Sequence, residues 1–159
     1  MDELLKILKN NAHESAESIG KQLDMPVEDV KAKISDYEEK GIIRGYQAIV
    51  NEDKLDLNRV TSVIEVKVTP EREGGFNHIA ERIRKFDEVS SMYLVSGAFD
   101  FLLFVEGHNL KEIAMFVSEK LATIEGVTST ATHFMLKTYK HHGFMMDQQD
   151  EFERLKISP

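Results

Sequence analysis

The chain has 159 residues, of which 42% are hydrophobic and 30% charged, with a formal charge of −8 and no cysteine. That length holds one domain or two small ones. The absence of Cys excludes disulfides, thiolate metal sites and cysteine nucleophiles; no apolar run approaches the eighteen or so residues of a membrane span, and the acidic balance opposes indiscriminate binding to polyanions. With no signal-like segment at the N-terminus, the expected location is the cytoplasm, with no membrane contact.

In chain order, Leu4, Leu5, Ile7 and Leu8 form one apolar helix face, and Ala16, Ile19 and Leu23 repeat at spacings of three and four behind a Ser15 N-cap. A third helix is predicted from Pro26 to Lys40 with Val30, Ile34 and Tyr37 inward, stopped by Gly41. Only Leu23 to Val27 separates the second helix from the third, a connection of helix-turn-helix length. The strand-like Ile42–Asn51 leads out, and the polar Glu52–Arg59 reads as a linker.

From there the period becomes two. Val60, Ser62, Ile64, Val66 and Val68 point one way, and Thr61, Val63, Glu65, Lys67 and Thr69 the other, as in a strand with one buried face. A helix carrying Phe76, Ile79, Ala80, Ile83 and Phe86 follows, then strands Val89–Ser96 and Phe99–Glu106 joined by a two-residue II′ turn at Gly97–Ala98. An amphipathic helix with Leu110, Ile113, Ala114, Phe116, Val117, Leu121 and Ile124 inward precedes a strand from Val127 to about Tyr139, and the tail beyond is expected to be helical. The expected class is therefore α+β, a three-helix helix-turn-helix domain plus a ferredoxin-like βαββαβ domain. The divisions are residues 1–45, a connecting strand and linker at 46–58, the ferredoxin-like domain at 59–140, and a tail at 141–159. Helices cover one face of such a sheet, so the bare face predicts a homodimer.

Three stretches in this order, EKGIIRGYQAIVN (39–51), YLVSGAFDFLLFVEG (93–107) and EGVTSTATHFMLK (125–137), resemble the Lrp/AsnC, or feast/famine, transcriptional regulators. The resemblance covers residues 1 to about 140. It implies a DNA-reading N-terminal domain, a dimerising C-terminal domain, further assembly of dimers, and an amino acid or similar metabolite bound between dimers. It implies no enzyme activity and no cofactor. By the same resemblance Gly97, Ala98, Phe99 and Asp100 belong to the effector site, with Thr130 and Thr132 supplying hydroxyls. The physics admits this, because a glycine turn leaves N–H groups for a carboxylate and an acid pairs with an ammonium. It equally admits Asp100 bonding turn amides and the threonines serving as strand formers on an outer face.

The candidate DNA contacts are Lys31, Lys33 and Ser35 on the third helix, beside Glu28 and Asp29, which complement the helix dipole but repel phosphate. Residues 1–45 carry seven cations against ten acids, whereas a DNA reader usually presents a basic patch. Two other readings follow: a metabolite-binding or protein-interaction module without specific DNA recognition, and a small enzyme on a versatile fold. His133, His141 and His142 lack metal-ligand spacing, so no metal is expected.

Overall fold

Where the apolar spacing is three and four, the chain is helical, and where it is two, the chain is a sheet. The computed structural model describes residues 1–55, 57–70 and 75–146, and separates into two compact units, Met1–Val50 and Asn51–Pro159.

In the first unit, helices α1 (Glu3–Asn10), α2 (Ala16–Leu23) and α3 (Val27–Glu39) enclose Leu4, Leu8, Ile19 and Val30. Each of the first two starts on a side-chain cap that satisfies an orphan N–H: Asp2 Oδ1 accepts from Leu4 at 2.9 Å and Ser15 Oγ from Ser18 at 3.1 Å. Helix α3 closes in a Schellman arrangement, with Ile42 N–H on the Tyr37 carbonyl and Gly41 N–H on that of Glu38. The strand expected over Ile42–Asn51 is not formed: residues 44–50 are irregular, and Ile42, Tyr46 and Val50 are each at least half exposed. A strand needs a hydrogen-bonding neighbour, and this unit contains no other extended segment to supply one.

The second unit begins with a single 3₁₀ turn at Glu52–Lys54 and continues with β1 (Val60–Val68), α4 (Asn77–Ile83), β2 (Val89–Leu94), β3 (Phe101–Gly107), α5 (Leu110–Met115) and β4 (Val127–Phe134). Helix α5 runs on as a π-helical segment, Phe116–Leu121. The sheet order is β2-β3-β1-β4 with every neighbouring pair antiparallel, which is the ferredoxin-like topology expected from the element order. Ser62, Ile64, Val66 and Val68 are buried as their alternation requires, and Ile64, Val66 and Val68 join Ile79, Ile83, Leu103, Ile113 and Phe116 under the helices. The other face carries Val63 and Glu65 beside Leu102 and Phe104, all half-buried, with exposed Tyr93 edge-on to Phe104.

Three sequence expectations change here. The β2–β3 connection is not a two-residue turn: pairing stops at Leu94↔Phe101, so Val95 to Asp100 form the loop. Strand β4 ends at Phe134 rather than near Tyr139, although Met135 N–H still reaches the Thr61 carbonyl at 2.9 Å. In place of a helix, the start of the tail is a hairpin of β5 (Lys140–His141) and β6 (Phe144–Met145). His142 and Gly143 both have positive φ, as a tight two-residue hairpin needs. The rest of the expected tail helix, residues 147–159, lies outside the described residues.

Candidate functional site

Asp100 ends the β2–β3 loop and makes three hydrogen bonds. Its N–H donates to the Val66 carbonyl at 3.0 Å, its carbonyl accepts from Val95 N–H at 2.8 Å, and its Oδ2 accepts from Val68 N–H at 2.8 Å. The last bond explains an acid at the edge of an apolar strand. Strand β3 stops pairing at Phe101↔Val66, which leaves the N–H of the buried Val68 without a main-chain acceptor from that side. A buried N–H left unpaired is costly, and the carboxylate takes the place of the missing carbonyl.

Gly97 and Ala98 are exposed and Phe99 is half-buried. Gly97 adopts φ +156°, a conformation L side chains rarely take, and the space where a Cβ would stand is open. Among the described residues, the N–H groups of Gly97, Ala98 and Phe99 have no hydrogen-bond partner. The loop is thus a short arc of free donors held at its base by Asp100.

Thr130 and Thr132 stand opposite Val66 and Ile64 in the β1–β4 register. Opposed residues share a sheet face, so both threonines lie on the helix-covered side and are half-buried, not on an outer face. Phe101, Val66 and Thr130 form one row across β3, β1 and β4. Two strand spacings, roughly 10 Å, separate the Asp100 end of the loop from Thr130. On the β4 side, Thr128 Oγ1 donates to the Lys67 carbonyl at 3.0 Å and Thr69 N–H to that of Gly126 at 2.8 Å. The end of β1 is therefore clasped from both sides. A cleft of about 250 Å³ lined by Leu55, Leu57, Arg59, Thr61, Leu136 and Lys137 lies at the opposite end of β1.

The three residues proposed for DNA sit differently on α3. Lys31 is exposed, with Glu28 Oε1 at 3.2 Å. Ser35 is exposed and its hydroxyl faces Glu39 at 3.4 Å. Lys33 turns to the start of α1, where its Nζ meets Asp2 Oδ2 at 2.7 Å. That hydrogen bond is the main cause holding Asp2 below the ordinary aspartate range and Lys33 above the ordinary lysine range. Lys33 is thereby spoken for within the unit. In the sequence, the inward positions Val30 and Tyr37, one turn to either side, and the adjacent Ile34 are the signal that Lys33, unlike Lys31, sits at the edge of the packed face. Lys9 and Lys21, not singled out from sequence, are exposed cations with no partner among the described residues.

No group of three or more His, Asp or Glu side chains among the described residues is placed to hold a metal. His133 Nε2 lies 3.3 Å from Glu65 Oε1 on the bare sheet face, and the His141 and His142 rings contact each other. No helix of the described residues is long and apolar enough to cross a membrane.

A family model described as the Lrp/AsnC ligand binding domain matches residues 61–144. The chain is 42% identical over 158 residues, 99% of its length and 95% of the relative's, to YugG, an uncharacterized HTH-type transcriptional regulator of Bacillus subtilis (strain 168). Its fold is similar to that of AsnC from E. coli, with a TM-score of 0.67 at 21% identity, covering 89% of this chain and 95% of that one. It is also similar to a transcriptional regulator from Neisseria meningitidis solved as a complex with L-Met, with a TM-score of 0.69 at 23% identity, covering 89% and 93%.

Proposed function

Since the chain belongs to the Lrp/AsnC family of transcriptional regulators, we propose that it is a DNA-binding regulator that senses an amino acid or a related metabolite. The helix-turn-helix unit, residues 1–45, reads double-stranded DNA, and the ferredoxin-like unit, residues 59–140, dimerises, assembles further and binds the effector between dimers. It works in the cytoplasm. The observation that carries the sensing role is the β2–β3 loop: free N–H groups at Gly97, Ala98 and Phe99 suit a carboxylate, and Thr130 and Thr132 lie across β1 from its base. The mechanism is linkage. An effector that favours one arrangement of dimers changes the separation of the DNA-reading helices, and DNA affinity follows.

A second reading is favoured by one feature of the first unit. Lys31 and Lys33 both have an acid beside them, and α3 opens with Glu28 and Asp29. A third helix whose lysines each meet an acid suits a metabolite-binding or protein-interaction module without specific DNA recognition.

One experiment separates them. Wild-type protein and Lys31→Glu are compared on the protein's own upstream region and on random duplex at 50 mM salt. The regulator retains the upstream region above random duplex and loses that preference with Lys31→Glu. Equal retention of both duplexes by wild type sinks it. Lys31 is the residue to reverse, because Lys33→Glu would set two acids against each other at Asp2 and disturb the fold of the head.

A further inference from the structure

We propose that Asp100 is a positioning residue of the effector site, which fixes the Gly97–Phe99 loop to β1, and that it is not the group that pairs with an effector's ammonium; the effector part of this rests on the sensing role proposed above.

The Oδ2 atom is occupied by Val68 N–H at 2.8 Å, and the residue's own N–H and carbonyl are tied to Val66 and Val95. All three partners are main-chain groups, none of these bonds needs a negative charge on the side chain, and Oδ1 has no partner among the described residues, so a neutral amide at this position is the direct test of whether charge is used. What the position requires is an acceptor of carboxylate or amide shape, one step before the first ladder pair of β3. Val66 and Val68 are also the stretch of β1 against which β4 starts: Val66 faces Thr130, Val68 faces Val127, and the register shifts between Lys67 and Val68. Asp100 thus sets the position of the loop donors relative to the Thr130 hydroxyl through two residues of β1. On this assignment the loop contributes main-chain donors for the carboxylate end of a ligand, and the acid at its base determines where those donors stand.

Neutral and truncating substitutions distinguish positioning from charge pairing. In Asp100→Asn the side-chain carbonyl still accepts from Val68 N–H, so the pin survives without its charge; in Asp100→Ala the acceptor is gone. The full-length wild type and both variants are examined in two ways: amide exchange at Val68 by NMR, and thermal shift against each of the twenty amino acids. The expected result is Val68 protection in wild type and Asp100→Asn but at least about tenfold faster exchange in Asp100→Ala, with the effector response kept within about threefold by Asn and lost with Ala. Loss of the response in Asp100→Asn while Val68 stays protected overturns the proposal, because charge is then what matters. Unchanged Val68 exchange in Asp100→Ala also overturns it, because the pin then does not exist. If no amino acid shifts the wild type, the sensing role fails and takes the effector part of the proposal with it, while exchange at Val68 separately decides the pin.

Discussion

Lys33 Nζ lies 2.7 Å from Asp2 Oδ2, while the other oxygen of the same carboxylate caps Leu4 at the start of α1. A charge expected at DNA instead joins the first and third helices of the head. Lys31, one turn from Glu28 and exposed, remains available to phosphate. Lys31→Ala should therefore lower the dependence of log K on log salt by about 0.9, the effect of one phosphate contact, with little change in melting temperature. Lys33→Ala should do the reverse, lowering the melting temperature of the head and leaving the salt slope nearly unchanged. Anisotropy titrations at several salt concentrations, paired with thermal melts, check both.

The same pair gives the head a pH dependence whose sign is fixed. Asp2 is held below its ordinary value of about 3.8, mainly by the hydrogen bond from Lys33, so its contribution to stability is complete above that value and is lost as pH falls through the folded-state value. Lys33 is held above its ordinary value of about 10.5, mainly by Asp2, so its contribution is complete below that value and is lost as pH rises further. Both side chains are about one-third exposed, so salt screens the effect. Asp2→Asn should flatten the acid limb of stability against pH for resonances of the first unit and leave the sheet resonances unaltered, as followed by NMR during acid titration.

Much of the fold was legible in the sequence because burial has a period. The alternation through Val60–Val68 put Ser62, Ile64, Val66 and Val68 inward, and all four are buried; Ser15 was readable as a cap because its oxygen serves an N–H three residues on. The candidate site was less legible because its bonds are distant in sequence. Asp100 finds Val68 and Lys33 finds Asp2 over separations of 32 and 31 residues, and each partner is chosen by strand register or helix packing. The two-residue turn at Gly97–Ala98 gives way to a six-residue loop for the same reason: Asp100 bonds to β1 through its N–H and its Oδ2, and only its carbonyl still accepts from Val95 across the β2–β3 gap. The hairpin at His142–Gly143 carries only a weak local signal, a glycine beside Phe144, because the flanking Lys140, His141, Met145 and Met146 are not strong strand formers.

Gly126, between the π-helical segment and β4, adopts φ +91°, and a Cβ there would stand 2.7 Å from Ile79 Cδ1. Ile79 is fully buried in the core, so its room to move is limited. Gly126→Ala combines a disfavoured backbone conformation with a steric conflict, and should destabilise the second unit by about 1–3 kcal/mol. Gly75→Ala, at φ +56° with nothing among the described residues within 4 Å of the added carbon, should cost less. Chemical denaturation of the two variants gives the comparison directly.

The sheet face that no described helix covers supplies the last test. Phe104 is half-buried within one chain, packs edge-on against Tyr93 at 6.2 Å between ring centroids, and is flanked on the same face by Val63 and Leu102. The opposite face of the same strand holds Leu103 at 0% exposure. A charge at 104 therefore stays outside the protomer's own core but enters any interface built on this face, where an unpaired acid is strongly unfavourable. Phe104→Glu should turn the protein monomeric at micromolar concentration, with its circular dichroism spectrum retained. Leu103→Ala, by contrast, should cost about 2–5 kcal/mol of stability by opening a cavity. Sedimentation of Phe104→Glu at the mass of the wild-type assembly would place the dimer contact elsewhere, and the exposed Ile42, Tyr46 and Val50 would become the surface to test next.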